Sequence, residues 1–592
     1  VNFMNEHLSF MTIKGRRKAD YPQSFSYHAP YWEDYKTLAD YFARLSLALS
    51  QGDQVNHSLV IEPTTTAWMH YFPKSKKGVL KRIEKEFRAF VDELEKRQLE
   101  YDLGSEKIIE DHGTIDGNVF VIGKRSYDLV VLPPNFENIN HFTLELITEY
   151  LKNGGKVLSY STPDFVDGTY DKSLRKRLEE FDQWISGDSL GSAQSLSLLK
   201  EKDFFTKSPA AIDGKVYHMR RRLEDGQLIF WSNFNKAGVE EVTFRVKGKV
   251  VSLLDPMTGE ILSYPSKQSN EFVEVSFNLP AAGSKLFYIH HENNFQRHKQ
   301  TDLHVENWEK LDLKESQITR EQENCLILDY LDLTVGDRLF EEIYYKEAAD
   351  SAYKFSGLDH DGRYEQYNPW TFAVQFKTDI LDQSKKFGPE SGFEAAYTFQ
   401  VSKAFNVKDL SLVVERSDLY KVYINGIEVK SVEDSYWIDR EFDVFDISSL
   451  VKKGKNQVLL SIKPMHIHAE IEPVYIIGDF SLKPERQGLL IENADRLELG
   501  SWKNQGMPFY GNAVRYEKTM DVETGKRYKV KLGNWEGTVS RIFVNGEKVG
   551  IIGWDPFEFE LTEFLEVGTN EIAVEVVGSL RNTFGPFHGD IK

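Results

Sequence analysis

The sequence predicts a multidomain chain in which an α/β domain with a parallel sheet precedes several antiparallel β-sandwiches. The first observation behind this is a duplication. Lys421-Val-Tyr-Ile-Asn425-Gly426-Ile-Glu-Val429 is echoed by Arg541-Ile-Phe-Val-Asn545-Gly546-Glu-Lys-Val549, and an Asn-Gly pair between alternating apolar and polar residues is the strongest local signal for a two-residue hairpin. Second, residues 53–205 alternate short apolar runs with helical periodicity, the β-α-β pattern of a parallel sheet. Third, from about 213 to 292 the hydrophobic period falls to two, as in a small antiparallel sandwich.

Composition bounds the reading. A chain of 592 residues holds roughly three to five domains. Its 41% hydrophobic and 13% aromatic content supplies large cores and excludes disorder. The 73 basic and 92 acidic residues give a net charge of −19, which repels nucleic acid and anionic membrane surfaces and fits a neutral ligand better. The single cysteine, Cys325, excludes an internal disulfide and, inside the run Cys325–Leu328, reads as a buried thiol. No run of 18 uninterrupted apolar residues is present, and no basic stretch followed by an apolar one opens the sequence.

Taken in order, Val1–Met11 is strand-like, so the chain is expected to begin inside an element. A basic loop, Gly15–Pro22, follows. Leu38, Phe42, Leu45 and Leu49 then recur at helical spacing up to Gln51-Gly52. The runs Glu6-His7-Leu8, Gly15-Arg16-Arg17-Lys18 and Asp20-Tyr21-Pro22 to Tyr31-Trp32 resemble the end of the catalytic (β/α)8 barrel of large bacterial glycoside hydrolases, similar to family 106 α-L-rhamnosidases. The resemblance implies that residues 1–52 are the last strand, loop and helix of that barrel, that most of the barrel is absent from this chain, and that accessory β domains follow.

Residues 53–212 form the α/β domain, with strands at Ser58–Ile61, Tyr127–Leu132 and Lys156–Tyr160 and helices at Val79–Leu94 and Phe142–Leu151. It resembles the flavodoxin-like or amidotransferase-like domains of several glycosidases. No cysteine nucleophile lies within it, and Asn153-Gly154-Gly155-Lys156 lacks the spacing of a phosphate loop. Scaffolding or a homo-oligomer contact is therefore expected of it, and no cofactor. Residues 213–292 are the small β-sandwich and 293–319 a polar linker. The duplicated sandwiches occupy 320–482 and 483–592, with 320–390 free to interleave with the second copy. They resemble galactose-binding-like jelly rolls and the sugar-binding-like domain of glycoside hydrolase family 2.

Three constellations could carry chemistry. If the opening segment is a last barrel strand, its end faces the active site. Glu6 and His7 are then catalytic candidates, with Arg16 and Trp32 binding substrate; the bland alternative is strand-end residues and a helix anchor. His466-Ile-His468-Ala-Glu470-Ile-Glu472 places every polar residue on one face of a strand. His466, His468 and Glu470 could share a metal, although alternate strand residues stand about 7 Å apart and a solvated sheet face explains the pattern equally. Trp502, Tyr510 and Trp554 sit in Gly- and Pro-rich loops suited to stacking on sugar rings, or else fill sandwich cores. No pair of carboxylates is marked for glycosidic cleavage. The leading expectation is an accessory C-terminal part of a glycoside hydrolase with carbohydrate binding. The alternatives are a purely structural or oligomerising module and a complete glycosidase with a site of unfamiliar form.

Overall fold

A computed structural model describes residues 4–5, 9–19, 26–72, 77–200, 202–207, 213–292, 316–357, 387–466, 468–486 and 488–585. The chain divides into two compact units. One comprises 1–4 with 39–306, the other 5–38 with 307–592. The fold is mixed α/β with many β-sheets. Among the described residues, no helix is long and apolar enough to cross a membrane.

The first unit is built on five parallel strands, Ser58–Ile61, Tyr101–Gly104, Leu129–Leu132, Lys156–Ser159 and Trp184–Ser186. Numbered along the chain, their order across the sheet is 2-1-3-4-5. Ser58–Ile61 and Leu129–Leu132 are buried at every position, as parallel strands covered on both faces must be. The helices Lys77–Lys96 and His141–Lys152 bury Phe90, Leu94, Ile147 and Leu151. The strand end at Gly104 and the loop after Leu132 therefore fall at the same edge of the sheet as the loop after Ile61.

The sandwich of this unit has a six-stranded and a four-stranded sheet around Trp231, Phe244, Phe277 and Phe287. Its boundaries differ from the sequence reading. Asp53–Gln54 pairs with Val216–Arg222, and Phe204–Thr206 pairs with Glu240–Lys247. Both segments are too short to show a period of two, and it is the burial of Phe204 in the sandwich core that holds the second.

In the second unit the duplicated hairpins are Lys421–Ile424 with Ile427–Val429, and Val539–Val544 with Glu547–Ile552. Asn425 and Asn545 both have φ 50°, and Gly426 and Gly546 have φ 85° and 84°, as a turn with two left-handed residues requires. The two turns share a set of side-chain bonds. Asn425 Nδ2 donates to Asn456 Oδ1 at 2.9 Å and Asn545 Nδ2 to Asn570 Oδ1 at 3.0 Å. The acceptor asparagines are buried, and each donates back into its own loop, to Lys452 O and Glu566 O. The Gly-x-Asn motif thus accompanies the Asn-Gly turn because its asparagine satisfies both the turn and the loop before the closing strand.

Several expectations change here. Gln317–Thr319, placed in the linker by sequence, form with Arg320 a strand paired with Ala513–Val522 of the second sandwich. The described part of the expected opening strand has no strand structure, and residues 1–3 and 6–8 lie outside the described residues. His466–Glu472 is not a strand but the connection between Gly454–Ile462 and Val474–Gly478. Pro464 offers no N–H to a ladder. Beyond it the backbone turns, with Ala469 N bonding His466 O at 2.9 Å and His468 N bonding the ring of His466 at 3.2 Å.

Candidate functional site

The densest set of titratable groups in the second unit forms where residues 12–18 lie against the sheet containing Ser411–Glu415, Asp439–Asp446 and Val474–Gly478. Ile13 packs with Cys325, Val413, Phe442 and Tyr475, which brings the basic loop down onto the sheet. Lys18 Nζ then lies 2.7 Å from both Glu415 Oε1 and Glu472 Oε2 and donates to Gly15 O at 2.8 Å. Gly15 N donates to Glu415 Oε2 at 2.7 Å, and Tyr475 OH to Glu415 Oε1 at 3.3 Å. Glycine is needed at position 15, since its φ is +61° and a Cβ there would meet the Glu470 carboxylate. Beside this group, Ile13 N donates to Asp439 Oδ2 at 2.6 Å and His28 Nε2 lies 3.0 Å from the same oxygen.

Two carboxylate oxygens that both lie 2.7 Å from one nitrogen are at most about 5.4 Å apart, which invites comparison with the pair of a retaining glycosidase, about 5–5.5 Å apart. The rest of the geometry rules this out as an open acid and nucleophile. The ammonium fills the space between the two groups, and the side chains of Lys18, Glu415 and Glu472 are only 4%, 5% and 7% exposed. What the arrangement does is anchor residues 12–18 to the sandwich.

The charges do not balance, because two carboxylates face one ammonium. Burial pushes Glu415 up, Lys18 opposes and Glu472 adds to the push, bringing it to about 7. Asp439 goes the other way. Burial would raise it, but His28 and the N–H groups of Glu441 and Ile13 hold it at about 2. A carboxyl raised in the folded state gives stability that is complete below its unfolded pKa and lost as pH rises through its folded one. The second unit should therefore lose stability between pH 5 and 8, by at most about 1.4 kcal/mol per pH unit. Glu472→Gln removes the excess charge and should flatten that slope, read as the denaturation midpoint of the C-terminal transition at each pH.

The same strand register ties a further anchor to the second sandwich. Arg541 on Val539–Val544 donates to Asp34 Oδ2 at 2.8 Å, to Glu575 Oε1 at 2.6 Å and to Pro30 O at 2.9 Å. Lys548 bonds the other oxygen of Asp34. Tyr31 packs on Ala513, Val539 and Val577, which leaves its neighbour Trp32 45% exposed.

In the first unit Arg220, 1% exposed at its side chain, pairs with Glu100 Oε2 at 2.7 Å and Asp203 Oδ1 at 3.0 Å. His218 Nε2 lies 3.2 Å from Glu100 Oε1. Burial would raise Glu100, but Arg220 and His218 hold it at about 2. Glu100, His218 and Arg220 line a small polar cavity together with Asn56, Glu95 and Gln98.

The sequence-predicted residues fall out as follows. Glu6 and His7, and the side chain of Arg16, lie outside the described residues. Tyr510 is corrected to core. It is 2% exposed, with its hydroxyl donating to Ala513 O at 2.6 Å. Trp502 packs beside it, its indole N–H bonded to Tyr516 OH at 2.8 Å. Trp554 is 41% exposed. The supposed ligands His466, His468 and Glu470 sit in a connecting loop, where Tyr420 OH bonds both Glu470 N and Glu470 O. Among the described residues, no three His, Cys, Asp or Glu side chains are grouped to hold a metal ion. Cys325 is buried, and burial pushes its thiol well above the usual range.

Sequence reading quoted Lys18 and Glu472 in other patterns without this role, and singled out none of Glu415, Asp439, Glu100 and Arg220. The one local signal was a carboxylate closing an apolar run, as in Ser411-Leu-Val-Val-Glu415.

Residues 12–266 match the family described as alpha-L-rhamnosidase, glycoside hydrolase family 106. A curated protein of Formosa agariphila, provisionally named a beta-glucuronidase, is 19% identical over 92% of this chain, and the chain spans only 51% of its length. Among solved structures, a rhamnosidase from Novosphingobium sp. PP1Y aligns over 76% of this chain and 41% of its own, at 15% identity and a TM-score of 0.35. A Streptomyces avermitilis alpha-L-rhamnosidase complexed with L-rhamnose aligns over 63% of this chain and 32% of its own, at 10% identity and a TM-score of 0.20. The chain is thus similar to the glycoside hydrolases, and over residues 12–266 to the α-L-rhamnosidases of family 106.

Proposed function

We propose that this chain is the accessory, C-terminal part of a glycoside hydrolase of the α-L-rhamnosidase type, one that supports a catalytic barrel and binds carbohydrate. The observation that carries the proposal is the α-L-rhamnosidase match over residues 12–266, which covers the anchored loop and the parallel-sheet domain and runs into the first sandwich. The strand order 2-1-3-4-5 supports a flavodoxin-like reading of the α/β domain. The duplicated sandwiches, one bonded to Gly15 and the other to Asp34, support a galactose-binding-like jelly-roll reading. The Glu415 and Glu472 carboxylates, which the fold brings together, have Lys18 between them. The arrangement serves docking rather than turnover.

Carbohydrate binding is assigned to the exposed aromatic end of the second sandwich, where Trp554 lies on the loop that also holds Phe557 against Trp535, ring centroids 5.5 Å apart. An aromatic face lost from a sugar contact costs about tenfold in affinity. Titration with L-rhamnose-terminated oligosaccharides is expected to show binding that weakens about that much in Trp554→Ala. Wild-type protein that binds none of them would leave the purely structural reading in its place.

A further inference from the structure

The α/β domain carries a second candidate surface. In a parallel sheet of order 2-1-3-4-5 the connections leave in opposite directions from strands 1 and 3, here Ser58–Ile61 and Leu129–Leu132. Ligands of such sheets bind in the crevice outside the carboxyl ends of those strands. The two loop regions at that point are residues 62–72, which include the short helix Thr64–Met69, and residues 133–140. They are fastened together, since Thr66 Oγ1 accepts the N–H groups of Glu137 and Asn138, both at 3.0 Å, and His70 Nε2 lies 2.9 Å from Glu137 Oε2. On the first loop Trp68, Tyr71 and Phe72 are 67%, 75% and 53% exposed. Isolated exposed aromatics need no explanation, but three within five residues beside a fixed imidazole and carboxylate do.

We propose that this switch point binds a neutral glycan, with Trp68 and Tyr71 as stacking faces and the His70–Glu137 pair as the hydrogen-bonding group for ring hydroxyls. The proposal rests on the carbohydrate reading of the chain and adds a site to it. The chemistry of the loops selects against the nucleotides that usually occupy switch points. Residues 62–72 contain no glycine to let the backbone approach a phosphate, and Glu62 and Glu137 would repel one. Sugar rings instead present apolar C–H faces to aromatics and hydroxyls to carboxylate and imidazole. A second copy of the chain seated on the same aromatics is the competing occupant.

Calorimetric titration of the whole chain with a panel of neutral oligosaccharides terminated by L-rhamnose, D-galactose or D-glucose tests the site. Two binding events are expected. Trp68→Ala with Tyr71→Ala should remove one or weaken it at least about tenfold, and His70→Asn should weaken the same event while leaving the fold intact. Trp554→Ala should leave this event unchanged. Binding indifferent to the Trp68 and Tyr71 replacements but lost in Trp554→Ala would overturn this site and keep the proposed function. Loss of the only event in the Trp68/Tyr71 variant would keep this site and overturn the assignment of Trp554. No binding to any member of the panel would overturn both. Self-association seen in sedimentation and abolished by the Trp68/Tyr71 variant, without any change in saccharide binding, would make the patch a subunit contact and overturn the site.

Discussion

Replacing Lys18 by methionine is expected to destabilise the second unit by about 3–5 kcal/mol, the cost of leaving buried charges without their partner. Methionine fills the volume of the lysine stem but supplies no donor, so the Glu415 and Glu472 carboxylates would face each other, with side-chain exposures of 5% and 7%, unneutralised. Each would then take up a proton or expel the loop. The first response moves the stability of the variant strongly toward acid pH; the second frees residues 12–18 and makes the loop a protease target. Chemical denaturation with limited proteolysis of the same samples distinguishes the two. Adding Glu415→Gln and Glu472→Gln to the Lys18→Met variant should recover much of the loss, because a group of neutral residues leaves no buried charge. A Lys18→Met variant as stable as wild type at pH 8 would mean that the carboxylates are solvated and the anchor is not one.

Arg220→Met should act on the first unit with similar size, about 3–5 kcal/mol, because Glu100 and Asp203 both lose the guanidinium. The pH dependence has the opposite sign from that of Glu415. Glu100 is held at about 2 in the folded state, so its contribution is present above the unfolded carboxylate pKa and fades as pH falls toward 2. In wild type the first unit should weaken in acid. In Arg220→Met the remaining partner, His218, should leave a smaller acid dependence over the same window. A midpoint that does not move on substitution would show the Glu100 and Asp203 carboxylates to be compensated by other groups.

The fold was legible where its chemistry is local. Asn425-Gly426 and Asn545-Gly546 announce their hairpins because a left-handed turn restricts residue type within two positions. The strands Ser58–Ile61 and Leu129–Leu132 were legible because burial on both faces leaves continuous apolar runs. The candidate site was not. Gly15 meets Glu415 across 400 positions and Asp34 meets Arg541 across 507, and nothing near Lys18 says which carboxylates it will find. A basic loop and a carboxylate ending an apolar run each look ordinary until the fold joins them. His466–Glu472 misled for the reverse reason. Its alternation is strand-like, but Pro464 and the turn bond from Ala469 N to His466 O take the backbone out of any ladder. The aromatic candidates divided by context that composition does not record: Tyr510 is buried under the turn to Ala513, whereas Trp554 stands open to solvent.

The Glu415 and Glu472 carboxylates are proposed to fasten residues 12–18 to the sheet through Lys18 and to cleave no glycosidic bond. The initial rate of hydrolysis of an aryl α-L-rhamnoside by this chain alone, with Glu472→Gln assayed beside it, tests this most directly. No release of the aryl alcohol above buffer is expected from either protein. Turnover by wild type that disappears in the correctly folded Glu472→Gln variant would contradict it and make the Glu415–Glu472 pair an active site.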